Sequence, residues 1–292
     1  LTYRLLANAW PKGAEDTENG KAVYNPDAPS QFKDLAKRAT GAKKLGIFRA
    51  DVDNLGHIFQ KSLGKRATIS RVASLSALLS DFFEGYVDAL VRRNYRDTIG
   101  VVYTGGDDLF VVGAWDKVID FALELREDFG RFAAGNPLLS FSGGIVVIDD
   151  HLPLRYAAEL AEEAEKIAKD HERKDMDKDM EKNALCLFET PIGFEEMPRF
   201  RAFQDTLEKT LAPNGDAVKS LPAGFLRRLF DIWELYRRER QEIEKRKRGQ
   251  NVKLEDIQKE ARWQRWRWML VYGLRDFTKK APQWKSEIEE IQ

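Results

Sequence analysis

The 292-residue chain predicts an α+β fold followed by an α-helical region, and three observations carry that prediction. Strand-length apolar runs alternate with longer amphipathic stretches between about residues 45 and 188. Two of the runs flank Thr104-Gly105-Gly106-Asp107-Asp108, a hairpin signature. Beyond Met197 the apolar positions recur at helical spacing.

Taken in order, residues 1–44 hold Pro11, Gly13, Gly20, Pro26, Pro29 and Gly41 among polar residues. They read as a linker or the remnant of a preceding domain, with one short helix near Phe32 to Arg38. The chain starts at Leu1 without an initiator methionine, so a fragment of something longer is expected. From Leu45 the sequence Leu-Gly-Ile-Phe-Arg-Ala-Asp-Val-Asp is an apolar run too short for a helix, and it predicts a buried strand. Val72, Leu75, Leu79, Phe82, Phe83, Tyr86 and Leu90 recur at steps of three and four, the stripe of a helix over 70–91.

Ile99 to Tyr103 and Leu109 to Gly113 form the two arms of the hairpin, with Gly105 and Gly106 expected to supply positive φ. Val118, Phe121, Leu125, Phe129 and Phe132 mark a second helix. Leu138 to Ile148 reads as a strand with a bulge at Gly143-Gly144, and 153–170 as an Ala-rich helix. A charge run over 171–183 reads as a solvated loop before a further strand, Ala184 to Phe188. The order strand, helix, strand, strand, helix, strand is that of a ferredoxin-like split βαβ unit, which sets its first and third strands side by side. Asp51 and the hairpin carboxylates then meet at one end of the sheet. The expected organisation is a linker over 1–44, this unit over 45–196 and a helical domain over 197–292, with a long helix from Phe225 to Lys247.

Hydrophobic residues make up 43% of the chain, which excludes a largely disordered protein. Cys186 is the one cysteine, so neither an intrachain disulfide nor a Cys-rich zinc site is available. Buried packing in an apolar strand and a reducing, cytoplasmic setting are expected for it. No targeting segment and no membrane span is legible. The net charge of zero hides a segregation: Arg199 to Gln292 carries 22 Lys+Arg against 15 Asp+Glu, balanced by an acidic excess before it. An acidic part suited to cations precedes a basic part suited to nucleic acid.

Phosphoryl transfer between nucleotides needs positioning and charge neutralisation, which paired divalent ions supply by clamping the attacking and leaving oxygens. Hard cations such as Mg²⁺ or Mn²⁺ take carboxylates, and Asp51, Asp53, Asp107 and Asp108 would provide them where the fold brings them together. Gly105 and Gly106 leave room for a triphosphate beside the backbone. By itself the turn reads as a plain hairpin, and Asp51 and Asp53 as caps of the next helix. Carboxylates on a second, buried strand favour chemistry over that plainer account.

At these residues the chain resembles the large palm-containing subunit of type III CRISPR–Cas effector complexes, Cas ten, in its Csm-type branch. The resemblance rests on Leu-Gly-Ile-Phe-Arg-Ala-Asp-Val-Asp-Asn-Leu-Gly from Leu45, Leu-Ser-Ala-Leu-Leu-Ser-Asp-Phe-Phe-Glu-Gly-Tyr from Leu75, and Tyr-Thr-Gly-Gly-Asp-Asp-Leu-Phe-Val-Val-Gly-Ala-Trp from Tyr103. Lys182-Asn183-Ala184 before a strand adds a fourth match. It implies a palm that condenses ATP into cyclic oligoadenylates when the complex binds target RNA, through attack of a 3′-hydroxyl on an α-phosphate. It further implies that Asp51, the Val52 carbonyl and Asp107 ligate metal with Asp108 beside them, and that Asp107, Asp108 and Asp51 are catalytic. Gly105, Gly106, Asp53, Asn54, His57, Ser142 and Lys182 are the implied nucleotide-binding set. The implied partners are the small subunit, the subunit that binds the crRNA 5′ end, crRNA and target RNA.

Some of these residues admit blander roles. His57 would touch a base or ribose, or is a structural loop histidine; Ser142 would face the base, or is a small packing choice. Lys182 and Lys178 would reach triphosphate oxygens, or belong to a solvated face. Arg262-Trp263-Gln264-Arg265-Trp266-Arg267-Trp268 could stack on single-stranded nucleic acid, but Trp263, Trp266 and Leu270 share one helical face, which favours packing. The family's first palm, zinc-binding region and His-Asp nuclease domain have no counterpart here, and His57, His151 and His171 are scattered. No nuclease site of that type is therefore expected in this chain. The family's synthase site lies between two palms, so the chain alone would bind ATP without turning it over. Two rivals stay open. A diguanylate cyclase has a related turn ending Gly-Gly-Asp-Glu-Phe or Gly-Gly-Glu-Glu-Phe, whereas this turn ends Asp-Asp-Leu-Phe. A silent scaffold would keep the palm only to organise crRNA and partner subunits.

Overall fold

The computed structural model describes residues 7–18, 21–59, 68–171, 182–211, 223–249 and 269–270. Two compact units are present, Leu1–Pro198 and Arg199–Gln292. In the first, strands β3 (Leu45–Val52), β4 (Ile99–Thr104), β5 (Asp108–Ala114), β6 (Phe141–Ile148), β7 (Ala184–Leu187) and β8 (Thr190–Gly193) form one sheet in the order β4-β5-β3-β6-β7-β8. β3 lies antiparallel to β5 on one side and to β6 on the other, so the first and third strands of the expected unit are central neighbours. β7 joins β6 in parallel and β8 turns back along β7. β8 is an addition to the sequence reading; Pro191 and Gly193 disguise it, and an outer strand tolerates both.

Alternation along β3 sends Phe48 to one face of the sheet and Arg49 to the other. On the Phe48 face lie helix α5 (Trp115–Phe132) and a long helix built from α3 (Ile69–Ser80), a π segment (Asp81–Tyr86) and α4 (Val87–Asn94). Phe48, Phe83, Phe121, Phe129 and Phe141 are fully buried. Phe129 meets Phe82 at 5.2 Å and Phe141 at 5.4 Å, both edge to face, arrangements worth about 0.5–1.5 kcal/mol each beyond area burial. The π segment follows from sequence: Phe82, Phe83 and Glu84 are three consecutive buried residues, and a widened turn lets them share an inward face that an α-helix would rotate apart.

Helix α1 (Phe32–Lys37) and α6 (Leu154–Lys169) belong to the opposite face, where Leu35, Leu45, Ile47, Phe110, Val112, Ala157 and Ala161 form one buried cluster. The Ala stripe of α6 allows close approach, and Gly144 completes it, since a Cβ there would lie 2.5 Å from Ala164 Cβ. That contact, and not a bulge, is the reason for Gly143-Gly144: β6 runs in regular register with β3 through both, and a Cβ on Gly143 would lie 2.5 Å from the Phe48 ring. The irregularity instead falls on β4, between Val101 and Tyr103. β6 begins at Phe141 and not at Leu138, because 133–139 are turns closed by bonds such as Leu139 N to Asn136 O at 3.1 Å.

The segment expected to be a connector contains, besides α1, an antiparallel hairpin of β1 (Lys12–Glu18) and β2 (Lys21–Pro29). Trp10 and Phe32 pack against the α1 cluster, and Val101 N donates to Ala9 O at 2.8 Å, so the segment covers part of the β4 edge. Met197 opens α7 (Met197–Leu211), and α8 (Ala223–Gly249) contains the long helix expected from Phe225 to Lys247. Lys178 and most of the charge run, the Arg262 to Trp268 segment and most of the rest of the expected helical domain lie outside the described residues. Among the described residues no helix is long and apolar enough to cross a membrane. Cys186 is buried, and burial pushes its thiol up to about 12, which makes it an inert packing residue.

Candidate active site

β3 and β5 are paired so that Asp51 stands directly opposite Asp108, the last register pair of that ladder. The next bond along is Val52 N to Asp107 O at 3.1 Å, which ties the turn to the end of the central strand. Asp51 and Asp107 stand 56 positions apart in the sequence; the sheet brings them to one end. The turn closes through Gly105 N donating to Asp108 O at 2.9 Å. Neither Gly105 nor Gly106 has a positive φ, contrary to expectation; the described glycines that do are Gly13, Gly41 and Gly135. Gly105 is required for space instead. A Cβ there would lie 2.5 Å from the Tyr103 hydroxyl oxygen and collide with Asp108 Oδ1, two groups that hydrogen-bond each other.

The carboxylates repel one another. Burial first, then the charges of Asp51 and Asp108, hold the Asp107 carboxyl above the usual range, against the pull of Lys169. Lys169, at the end of α6, is the cation of the cluster: its ammonium hydrogen-bonds Asp51 Oδ2 and lies 3.0 Å from Glu165 Oε1. Burial alone would depress that ammonium, but Asp51 and Glu165 carry its pKa above the ordinary lysine value. Arg49 extends the chain of charges, with Nε 3.0 Å from Glu165 Oε2 and Nη1 3.1 Å from Glu162 Oε2. Sequence reasoning missed Lys169. The usable signal was its position just after Ala168, which ends the buried stripe Ala157, Ala161, Ala164, Ala168.

Asp53 belongs to a different environment from the other three. It is 1% exposed, and its Oδ2 accepts from Ser140 Oγ at 2.7 Å, Ser142 Oγ at 3.1 Å and Asn183 N at 3.1 Å, while Oδ1 has no hydrogen-bond partner. Burial raises its pKa, with Ser140, Ser142, Asn183 and the charge of Lys182 pulling the other way. Ser142, expected to face a base, is fully buried and also accepts from Asn183 N and Ala184 N. Asp53 and Ser142 thus tie the start of β7 to the end of β3. Neither Asp51 nor Asp53 caps the next helix: the cap of α2 (Leu55–His57) is Asn54, in the left-handed region at φ 53°, without a side-chain cap bond. His57 closes that short helix, and Lys182 lies half-buried before β7.

Among the described residues no three His, Cys, Asp or Glu side chains converge as a finished metal centre. The donor chemistry nonetheless fits a hard divalent cation. Asp51, Asp107 and Asp108 are oxygen donors in mutual repulsion, and an ammonium already stands on one of them.

A mixed sheet of this order with acidic residues on adjacent central strand ends defines a palm domain of the nucleotide cyclase and polymerase type. Residues 44–177 match the family described as Cas10/Cmr2, second palm domain. The chain belongs to the Cas10/Csm1 family of subtype III-A. A relative from Methanocaldococcus jannaschii, named CRISPR system single-strand-specific deoxyribonuclease Cas10/Csm1 (subtype III-A), is 36% identical over 211 residues, covering 67% of this chain and 25% of the relative. The chain spans about a quarter of the length of the curated relatives it matches. The apo Csm1-Csm4 cassette superimposes with a TM-score of 0.60 at 25% identity, over 80% of this chain and 32% of that one. A Csm1-Csm4 cassette in complex with cA4 shares the fold, with a TM-score of 0.56 at 24% identity over 78% of this chain and 33% of that one.

Proposed function

We propose that residues 45–196 are the palm of a type III-A effector subunit that condenses ATP into cyclic oligoadenylates when the assembled complex binds target RNA. The observation that carries this reading is the pairing of Asp51 with Asp108 across β3 and β5, with Asp107 beside them. Asp51, the Val52 carbonyl, Asp107 and Asp108 would hold two Mg²⁺ or Mn²⁺ ions, which neutralise charge on the phosphates and activate the attacking oxygen when bound. The 3′-hydroxyl of one ATP attacks the α-phosphorus of another, a new ester bond forms, and pyrophosphate departs. Gly105 and Gly106 keep the turn low enough for a triphosphate to approach the backbone.

Buried Asp53 and Ser142 act in this reading as supports, fixing the loop that carries Lys182 so that its ammonium can reach triphosphate oxygens. Asn54 and His57 follow the acidic strand and flank the nucleotide. In this reading the synthase site is composite and needs a second palm besides this one, so turnover is expected in the assembled complex and not from residues 45–196 alone. The helical domain over 197–292 meets crRNA, target RNA or neighbouring subunits, including the small subunit and the one that binds the crRNA 5′ end. The setting is the cytoplasm. Replacing Asp107 and Asp108 together by Ala in the assembled complex is expected to abolish oligoadenylate synthesis from ATP while target RNA still binds; persistence of synthesis would overturn the assignment.

A further inference from the structure

Lys169 stands where a site for cations has no reason to place an ammonium. Its Nζ hydrogen-bonds Asp51 Oδ2, on the residue that pairs with Asp108, and both side chains are only partly exposed, at 22% and 29%. A divalent cation bound to the same oxygen would meet an ammonium within contact distance, so the two compete for it. Nor is Lys169 held by Asp51 alone. Glu165, one helical turn back and 8% exposed, offers Oε1 at 3.0 Å. Glu165 Oε2 in turn lies 3.0 Å from Arg49 Nε, an ion pair without hydrogen-bond geometry, and Arg49 is held by Glu162, which also accepts from Lys166 at 2.6 Å. An ammonium that leaves Asp51 therefore keeps a buried, oriented carboxylate and is not stranded without a partner.

We infer that Lys169 is the built-in counter-ion of the acidic cluster, occupying Asp51 until a divalent cation displaces it onto Glu165. The inference rests on the proposed metal site at Asp51 and deepens it. Three carboxylates at one end of a sheet, Asp51 paired with Asp108 and Asp107 tied to the end of the same strand, repel one another without a cation. The ammonium relieves part of that repulsion and keeps Asp51 in place, at the cost of competing with the metal. Lys169 is a positioning residue in this scheme, acting through Asp51.

The test is a Mn²⁺ titration followed by electron paramagnetic resonance on the full-length subunit without nucleotide, counting as the palm site the binding that Asp51→Asn removes. Lys169→Met is expected to tighten that binding about five-fold, the ratio that corresponds to about 1 kcal/mol. Lys169→Gln, which keeps a polar end, serves where the Met variant does not fold and is expected to shift binding in the same direction. Lys166→Met removes the same charge three residues earlier, from a lysine paired with Glu162, and is expected to leave the affinity within two-fold, about the limit of the titration. Unchanged or weaker Mn²⁺ binding in the Lys169 variants overturns the inference. So does equal tightening in Lys166→Met, which would reduce it to net charge. Retention of all Mn²⁺ binding in Asp51→Asn overturns the metal site itself, a distinct failure from the first two.

Discussion

Phe48 and Arg49 are neighbours on one strand, yet they work in opposite media. Phe48 is fully buried, its ring 6.3 Å from that of Phe121 and pressed into the space that Gly143 leaves. Arg49 stands on the other face, a third exposed, between Glu162 and Glu165. The aromatic face gains most of its energy from area removed from water, with a smaller share from the edge-to-face ring contacts. The charged face gains little net energy from its ion pairs, because each charge has given up water to make them. What the difference teaches is a division of labour along a single strand: Phe48 on one face, with Leu45 and Ile47 in the apolar cluster of the other, holds β3 in place, and the Arg49 end of that second face uses the rigidity to aim carboxylates that would otherwise spring apart.

Phe48→Ala is the substitution with the largest expected effect. Losing a fully buried ring leaves a cavity beneath the central strand, and a cost of about 3–5 kcal/mol is expected. Hydrogen exchange of the β3 amides reads it directly, since the strand's protection reports the local unit. A cost under about 1 kcal/mol would mean that the aromatic face is not what holds the strand.

Asp53 lies between the two regimes, polar but buried. Asp53→Ala strips the acceptor from two serine hydroxyls and the Asn183 amide, an expected cost of about 1–3 kcal/mol, seen as lost protection at β7. Asp53→Asn keeps one acceptor oxygen and cannot ionise. Because burial raises the folded-state pKa of Asp53, its stabilising contribution is complete below the unfolded value near 3.8 and fades as pH rises through the folded value. The Asn variant is therefore expected to gain on the native protein as pH rises above 3.8. A gap that moves the other way would show that the surrounding donors outweigh burial.

Those same residues show how far the sequence could be read. The four strands β3 to β6, and with them the meeting of Asp51 with the hairpin, were legible because apolar runs and a turn fix strand order through one familiar topology. Which way a side chain points was not. Asp53 and Ser142 sit in polar stretches that look open to a ligand, and only the β3–β6 register, with Ser142 opposite Asp51, encloses them. The hairpin of β1 and β2 escaped because Pro26 and Pro29 argue against a strand, although an isolated two-stranded ribbon bears them. Lys169 escaped for another reason. Its partner Asp51 is 118 residues away, and helix phase had to be combined with strand register before the pair could be seen.

Arg49→Met is the small effect that completes the contrast, and two magnitudes compete for it. Breaking a buried ion pair costs about 3–5 kcal/mol when it strands a charge, and Glu165 is buried enough for that figure to apply. An exposed pair is worth about 0–1 kcal/mol, and Arg49 is a third exposed. The second figure wins, because Glu165 keeps Lys169 at 3.0 Å and is not stranded, while the Met side chain retains the apolar stem of the arginine. Protection of the β3 amides should fall by less than about 1 kcal/mol. A loss on the scale of Phe48→Ala would mean that the charged face carries as much of the strand's stability as the aromatic one, and the division of labour along β3 would fail.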